Sequence, residues 1–244
     1  MSGVERKVED VVMDYNCNYL QFDEYFKKIK TENFKYLPFV GINFSKSVIK
    51  TLIVGESLYK WGKTPAEKEK CEEEISSEFF LRKTVIEQGL NIKKGKKYHR
   101  FYRNIERLIK GNDIENFEKR MNFWSEFSFH EFILEPMRSL NQRPTIHQYK
   151  DGAKALIEVS EILKIEKCIF LGSEFEKFDI IQKEFEKHNF EVIKFERKKI
   201  GRNWGRKRIF KKDKLEITIY FVKHPSAFFS WKLWHNFIKG NKNV

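Results

Sequence analysis

Three short stretches of this chain carry side chains suited to acid–base or electrostatic chemistry, and two of them sit where an apolar run stops. Glu56 lies in Gly55-Glu56-Ser57-Leu58-Tyr59, directly after the β-branched run of residues 48–54. His224 opens His224-Pro225-Ser226, directly after the apolar run of residues 215–222. Glu131 sits within Phe129-His130-Glu131-Phe132-Ile133-Leu134-Glu135-Pro136. A carboxylate can steady a developing positive charge or orient an attacking water, and an imidazole can donate to a developing anion. Plainer roles compete at each place. Glu56 can cap the next helix or pair with a lysine, and a lone histidine is commonly a capping or core residue.

These residues matter chemically only if the fold gathers them, so the elements around them decide the question. Residues 48–54 read as a buried central strand that stops at Gly55 and delivers a loop to the carboxyl edge of a parallel sheet. Residues 167–172, 191–195 and 215–222 read as further strands. Helical spacing covers residues 147–163, the stretch from Gly172 to about His188, and the last segment to Ile238. Residues 64–111 are charged and helical, with Phe79, Phe80, Phe101, Tyr102 and Ile105 facing inward. Residues 37–44 read as a connecting turn, and residues 123–137 as short and aromatic. Residues 4–15 and 22–29 form a helical cap, which makes residues 1–36 an N-terminal helical extension on a domain of residues 37–244. Alternating strands and helices predict an α/β fold with a parallel sheet and helices on both faces. Functional residues should gather where the strands end.

Composition narrows the partners. Lysine and arginine number 48 against 35 acids, a formal +13, and such an excess suits a polyanion. A generally lysine-rich proteome would give much the same charge. The densest basic stretch is residues 194–214, with eleven basic residues against Glu196 and Asp213. Within it Arg202, Trp204, Arg206 and Arg208 interleave guanidinium groups with an indole, so phosphates could be neutralised while the ring stacks. The same stretch also reads as a solvated hairpin. Cys17, Cys71 and Cys168 are too few and too scattered for a disulfide framework or a zinc knuckle, which predicts a reducing, cytoplasmic location. No apolar stretch suits a membrane span, and neither metal nor cofactor is implied.

Taken in order, Gly55-Glu56-Ser57-Leu58-Tyr59, the Glu131 stretch followed by Arg143-Pro144-Thr145, and His224-Pro225-Ser226 resemble the motifs of the uracil-DNA glycosylase superfamily. The Pro38-Phe39-Val40-Gly41 turn fits as well, and the resemblance spans roughly residues 37–238. It implies a three-layer α/β/α fold with a small parallel central sheet. It also implies a hydrolase that flips a base out of DNA and cleaves its N-glycosidic bond, and with no lysine but Lys60 in the motif loops to serve as a Schiff-base nucleophile, a monofunctional one is expected. Glu56 would then steady the sugar cation or orient water, and His224 would stabilise the departing base. Ser57 and Ser226 would hold DNA, Phe228 and Phe229 would fill the gap in the stack, and Tyr59 and Phe80 would stack on the base. Both of the last two, and some of the later aromatics, equally read as core.

The chain departs from that pattern at two places. Uracil-specific relatives carry aspartate where Ser57 stands, so the water-activating role transfers to Glu56 only from branches with glutamate there. Relatives that read uracil carry asparagine where Glu131 aligns. An ionised glutamate only accepts hydrogen bonds, which suits the amine of a cytosine-type base. Unmodified cytosine is ubiquitous, so a modified base, as in phage DNA met in antiviral defence, becomes the expected target. Glu126 is the alternative occupant if the alignment slips. Other readings are a repair enzyme for uracil or deaminated bases, a catalytically silent DNA-binding module, and a metal-dependent nuclease using Glu174, Asp179 and Glu184. Lys60 is the one lysine standing within a motif loop, Lys83-Thr84 has no assigned chemistry, and a monomer is the default.

Overall fold

The computed structural model describes residues 20–90, 99–139, 141–173, 175–226 and 228–240. The helix expected over residues 4–15, Cys17 and Glu174 lie outside the described residues. The strands are β1 (Phe39–Val40), β2 (Thr51–Tyr59), β3 (Phe127–Met137), β4 (Lys167–Leu171), β5 (Glu191–Ile200), β6 (Asn203–Lys212) and β7 (Leu215–Val222). They form one mixed sheet in the order β1-β3-β2-β4-β7-β6-β5. The four middle strands, β3, β2, β4 and β7, are parallel. β1 runs antiparallel beside β3, and β5 and β6 form an antiparallel hairpin beside β7.

The helices are α1 (Leu20–Phe26), α2 (Pro65–Ser76), α3 (Phe80–Thr84), α4 (Arg100–Lys110), α5 (Phe117–Ser125), α6 (Ile146–Leu163), α7 (Phe175–Lys187) and α8 (Trp231–Lys239). Local sequence starts two of them firmly. Thr64 and Glu67 form a reciprocal capping box at α2, with Pro65 in the first turn, and Thr145 and Gln148 do the same at α6. α6 packs on β3 and α7, α1 packs on α6, and α4 packs against α8. Among the described residues no helix is long and apolar enough to cross a membrane.

β2 is the pivot of the sheet. The chain leaves it towards β3 on one side and later crosses back to β4 on the other, so a crevice opens at its carboxyl end. Leu52, Ile53 and Val54 of β2 and Cys168, Ile169, Phe170 and Leu171 of β4 are fully buried. That unbroken apolar character is what strands covered on both faces require.

Several expectations are corrected. The sheet has seven strands and mixed direction, larger than the small parallel sheet expected. The first long strand begins at Thr51 and continues through Tyr59, so Glu56 and Ser57 are strand residues rather than loop residues, and Val48 and Ile49 are exposed. Residues 37–44 include strand β1. Residues 127–137 are an eleven-residue strand buried along most of its length. The basic stretch is the β5–β6 hairpin, whose inner residues Ile200, Gly205 and Phe210 are buried. Its tip, at Gly201 and Arg202, lies at the same carboxyl edge as the end of β7, because β6 runs antiparallel to β7.

The described part of the N-terminal segment shares the core of the rest. Phe26 is fully buried, and the buried Arg82 of α3 grips Asp23 of α1 through two nitrogens at 3.0 and 2.5 Å. The same guanidinium donates from Nε to the Pro38 carbonyl at 2.9 Å, fastening the approach to β1. Asp23→Ala takes away the carboxylate that this buried guanidinium grips. We expect a loss of about 3–5 kcal/mol in urea unfolding, read as a lower midpoint with an unchanged slope.

Candidate functional site

At the carboxyl ends of β2, β3 and β7 lies a cleft of about 890 Å³. Glu56, Ser57 and Tyr59 reach it from β2, Glu131 from β3, Phe80 from α3, and His224 and Ser226 from the segment after β7. Seven of the residues picked out in the sequence are therefore brought together. β2 makes this possible by emerging: its first five residues are buried and its last four are half-buried. The β2–β3 register shifts between Ser57, opposite Ile133, and Tyr59, opposite Met137. The extra residues on β3 include Pro136, which has no amide hydrogen for the ladder, and Tyr59, beyond the shift, lines the cleft.

Gly55 is fixed by Glu131. The two are register partners, and a Cβ on residue 55 would stand 2.3 Å from Glu131 Oε2. The carboxyl of Glu131 thus lies directly over the backbone of β2. It is buried, and its Oε2 has no hydrogen-bond partner among the described residues. Burial, with the Glu56 charge adding to it, pushes this carboxyl up to about 8. Burial thus favours the protonated carboxyl, which both donates and accepts, over the ionised, accept-only form considered from the sequence. The hydroxyl of Ser57 is likewise buried without a hydrogen-bond partner among the described residues.

Glu56 pairs with a lysine. Lys177, in the first turn of α7, donates to Glu56 Oε1 at 2.5 Å, and its ammonium stands 5.7 Å from the Tyr149 ring. Glu56 still lines the cleft. His224 lies beside the Phe101 ring, with centroids 5.2 Å apart and planes tilted by 31°. Buried Asn104 of α4 donates to the Pro225 carbonyl at 2.9 Å and so anchors the His224 segment. Helix α3 runs on into a π-helical turn, Val85–Gly89, which places Glu87 and Gln88 on the cleft wall. Such turns often mark functional sites.

The remaining residues divide. Phe228 is 93% exposed and holds a left-handed backbone, φ 55°, with its carbonyl bonded by Lys223 Nζ at 3.1 Å. That conformation costs a non-glycine residue about 1–2 kcal/mol. Phe229 instead stacks parallel to Trp234 and packs against the core. Arg202 is exposed at the hairpin tip, and exposed Trp204 lies under the Arg197 guanidinium, 3.8 Å from the ring centre. Arg206 covers the Phe178 ring and donates to the Ser173 carbonyl, and buried Arg208 donates to the Phe178 carbonyl. These last two guanidinium groups dock the hairpin on α7 and its approach.

Sequence reasoning missed Lys177, Asn104 and Phe101 as parts of the site. Phe101 had a helical signal that pointed to the core, whereas the lysine and the asparagine pair across 121 residues of sequence each, a relation that no local pattern carries. Of the acids weighed for a nuclease, the two among the described residues are engaged elsewhere: Asp179 faces Arg208 at 3.8 Å and Glu184 faces Lys187 at 2.6 Å. Among the described residues one set of side chains, Glu32, His147 and Asp151, has metal-ligating atoms converging within 4.8 Å. It is not part of the cleft lining. Asp151 there already pairs with His147 at 2.8 Å and Lys154 at 3.2 Å.

No family model matches this sequence, and no curated protein matches it significantly.

Proposed function

We propose that the chain is a DNA glycosylase of the uracil-DNA glycosylase superfamily, acting in the cytoplasm as a monomer without metal or cofactor. In this reading its helices cover both faces of the sheet, giving three layers, and the cleft receives a base flipped out of DNA. One observation carries the proposal: a carboxylate, Glu56, and an imidazole, His224, from distant parts of the chain share one cleft at the switch point of the sheet. Breaking an N-glycosidic bond puts positive charge on the sugar and negative charge on the base. Glu56 answers the first charge and orients water, and His224 donates to the second. The product is an abasic site.

Other features are consistent. Phe228, exposed and held in a strained conformation two residues beyond Ser226, suits a wedge that enters the space a flipped nucleotide leaves. Arg202 and the Arg197–Trp204 pair give the hairpin tip a charge and a stacking face for the DNA strand. The cleft is towards the upper end of the roughly 300–1,000 Å³ typical of ligand pockets, which gives room for a substituted base. Protonated Glu131 matches a cytosine edge, accepting from the exocyclic amine and donating to the ring nitrogen beside it. A modified cytosine, as in phage DNA attacked in antiviral defence, is the substrate class we favour, on the room the cleft leaves for a substituent. The same neutral carboxyl can also pair with uracil, accepting from its ring N–H and donating to its carbonyl, so repair of deaminated bases is the variant reading.

A different reading has one observation behind it. The Glu56–Lys177 ion pair would serve a catalytically silent DNA-binding module equally well. Mass spectrometry of bases released from DNAs containing uracil, plain cytosine, and hydroxymethylated or glucosylated cytosine decides between them. We expect release of one modified cytosine by the wild type, reduced on the order of 10²–10³-fold in His224→Ala. Tight DNA binding with no base released from any of these DNAs would select the binding module.

A further inference from the structure

Glu56 stands on a part of β2 that has lost one neighbour. The pairing of β2 with β4 ends at Val54 opposite Phe170, and from Gly55 onward β3 is the strand beside it. α7 follows β4 and brings Lys177 to the place a longer β4 would have filled. The Lys177 side chain is 1% exposed, whereas that of Glu56 is 19% exposed. An ammonium so deeply buried needs a counter-charge, because removing one partner of a buried pair leaves the other without solvation. The ion pair to Glu56 Oε1, at 2.5 Å, supplies it.

We infer that Lys177 is the positioning residue of this site, holding the Glu56 carboxylate at the floor of the cleft. The inference rests on the reading of Glu56 as the catalytic carboxylate. A glutamate with three rotatable bonds and a half-buried setting would otherwise sample several rotamers, and a reacting group gains most from being held before the substrate arrives. Lys177 is not among the residues lining the cleft, so it acts through Glu56 rather than on DNA. Its burial and its ion pair also argue against a role as an amine nucleophile, in keeping with hydrolysis that stops at the abasic site.

The test is a double-mutant cycle on the full chain, with Glu56→Gln, Lys177→Met, both together, and Lys177→Arg. Two quantities are read: single-turnover base release at varied DNA concentration, and the urea midpoint. Lys177→Met should slow the chemical step on the order of 10²-fold with little change in the DNA concentration at half-saturation. The double variant should be no slower than Glu56→Gln alone, and Lys177→Arg should recover most of the rate. In urea each neutralising single variant should unfold earlier, and the double variant should regain part of the loss. Rate losses that multiply, or a change confined to half-saturation, would overturn the inference while leaving the glycosylase reading intact. Coupling in urea with no base released by the wild type from any DNA would overturn both, leaving the pair as a structural ion pair.

Discussion

Replacing Glu56 by glutamine should abolish base release, lowering the single-turnover rate by about 10³-fold, and should destabilise the protein at the same time. The two losses have separate causes. Glutamine fits the same space but brings no negative charge to the sugar cation and cannot take a proton from water. It also takes from the buried Lys177 ammonium the carboxylate to which it donates, which lowers stability. The rate must therefore be measured well below the unfolding transition, with circular dichroism confirming a folded sample. On the proposed reading DNA affinity should change little, since Glu56 would meet the reacting sugar and other residues would hold the phosphates. A variant that is less stable yet releases base as fast as the wild type would show that Glu56 is a structural acid and that another group meets the sugar cation.

The sequence was most legible where one physical cause dominates. β4 and β7 show as short apolar runs because both faces of a parallel strand are covered, and α6 shows through its periodicity and its Thr145 cap. β2 was cut short because Gly55 reads as a stop. In the fold that glycine is present so that Glu131 can lie across the backbone, and the strand runs on. β3 carries His130 and Glu131 in its middle, and two buried polar residues break the apolar signal that would have marked a long strand. The hairpin reading of the basic stretch matches β5 and β6, while its buried side, with Ile200, Gly205 and Phe210 turned inward, is masked in the sequence by the lysines between them. Of the candidate residues that share the cleft, Glu56, Ser57, Tyr59, His224 and Ser226 are legible because each lies at or just past the carboxyl end of a strand, whereas Glu131 stands in mid-strand and Phe80 on a helix. The ion pairs that hold the site in place, Glu56 with Lys177 and Asp23 with Arg82, were not, since neither partner implies the other until the chain folds.

Two neighbours on β3 give the protein a pH dependence of a definite shape. Glu131, pushed up to about 8, holds its proton in the folded state over a range in which the unfolded chain has lost it. Its contribution is fully present below the ordinary carboxylate value near 4.5 and is lost as pH rises through about 8. His130 is buried beside Phe34, with neither ring nitrogen hydrogen-bonded among the described residues, and burial lowers its imidazole to about 3. Its contribution is present above the ordinary histidine value near 6.5 and is lost as pH falls through about 3. For these two groups the slopes oppose and nearly cancel between about 4.5 and 6.5, leaving a plateau. Above it Glu131 acts alone, and stability should fall between pH 6.5 and 8 at up to about 1.4 kcal/mol per pH unit. Glu131→Gln, which has no proton to lose, should flatten that limb in urea titrations. The same substitution tests recognition, because glutamine keeps a donor and an acceptor whatever the pH. Base release by the wild type should decline as pH rises through about 8, and in Glu131→Gln that alkaline decline should disappear. If the decline persists in the variant, the protonated carboxyl is not what reads the base.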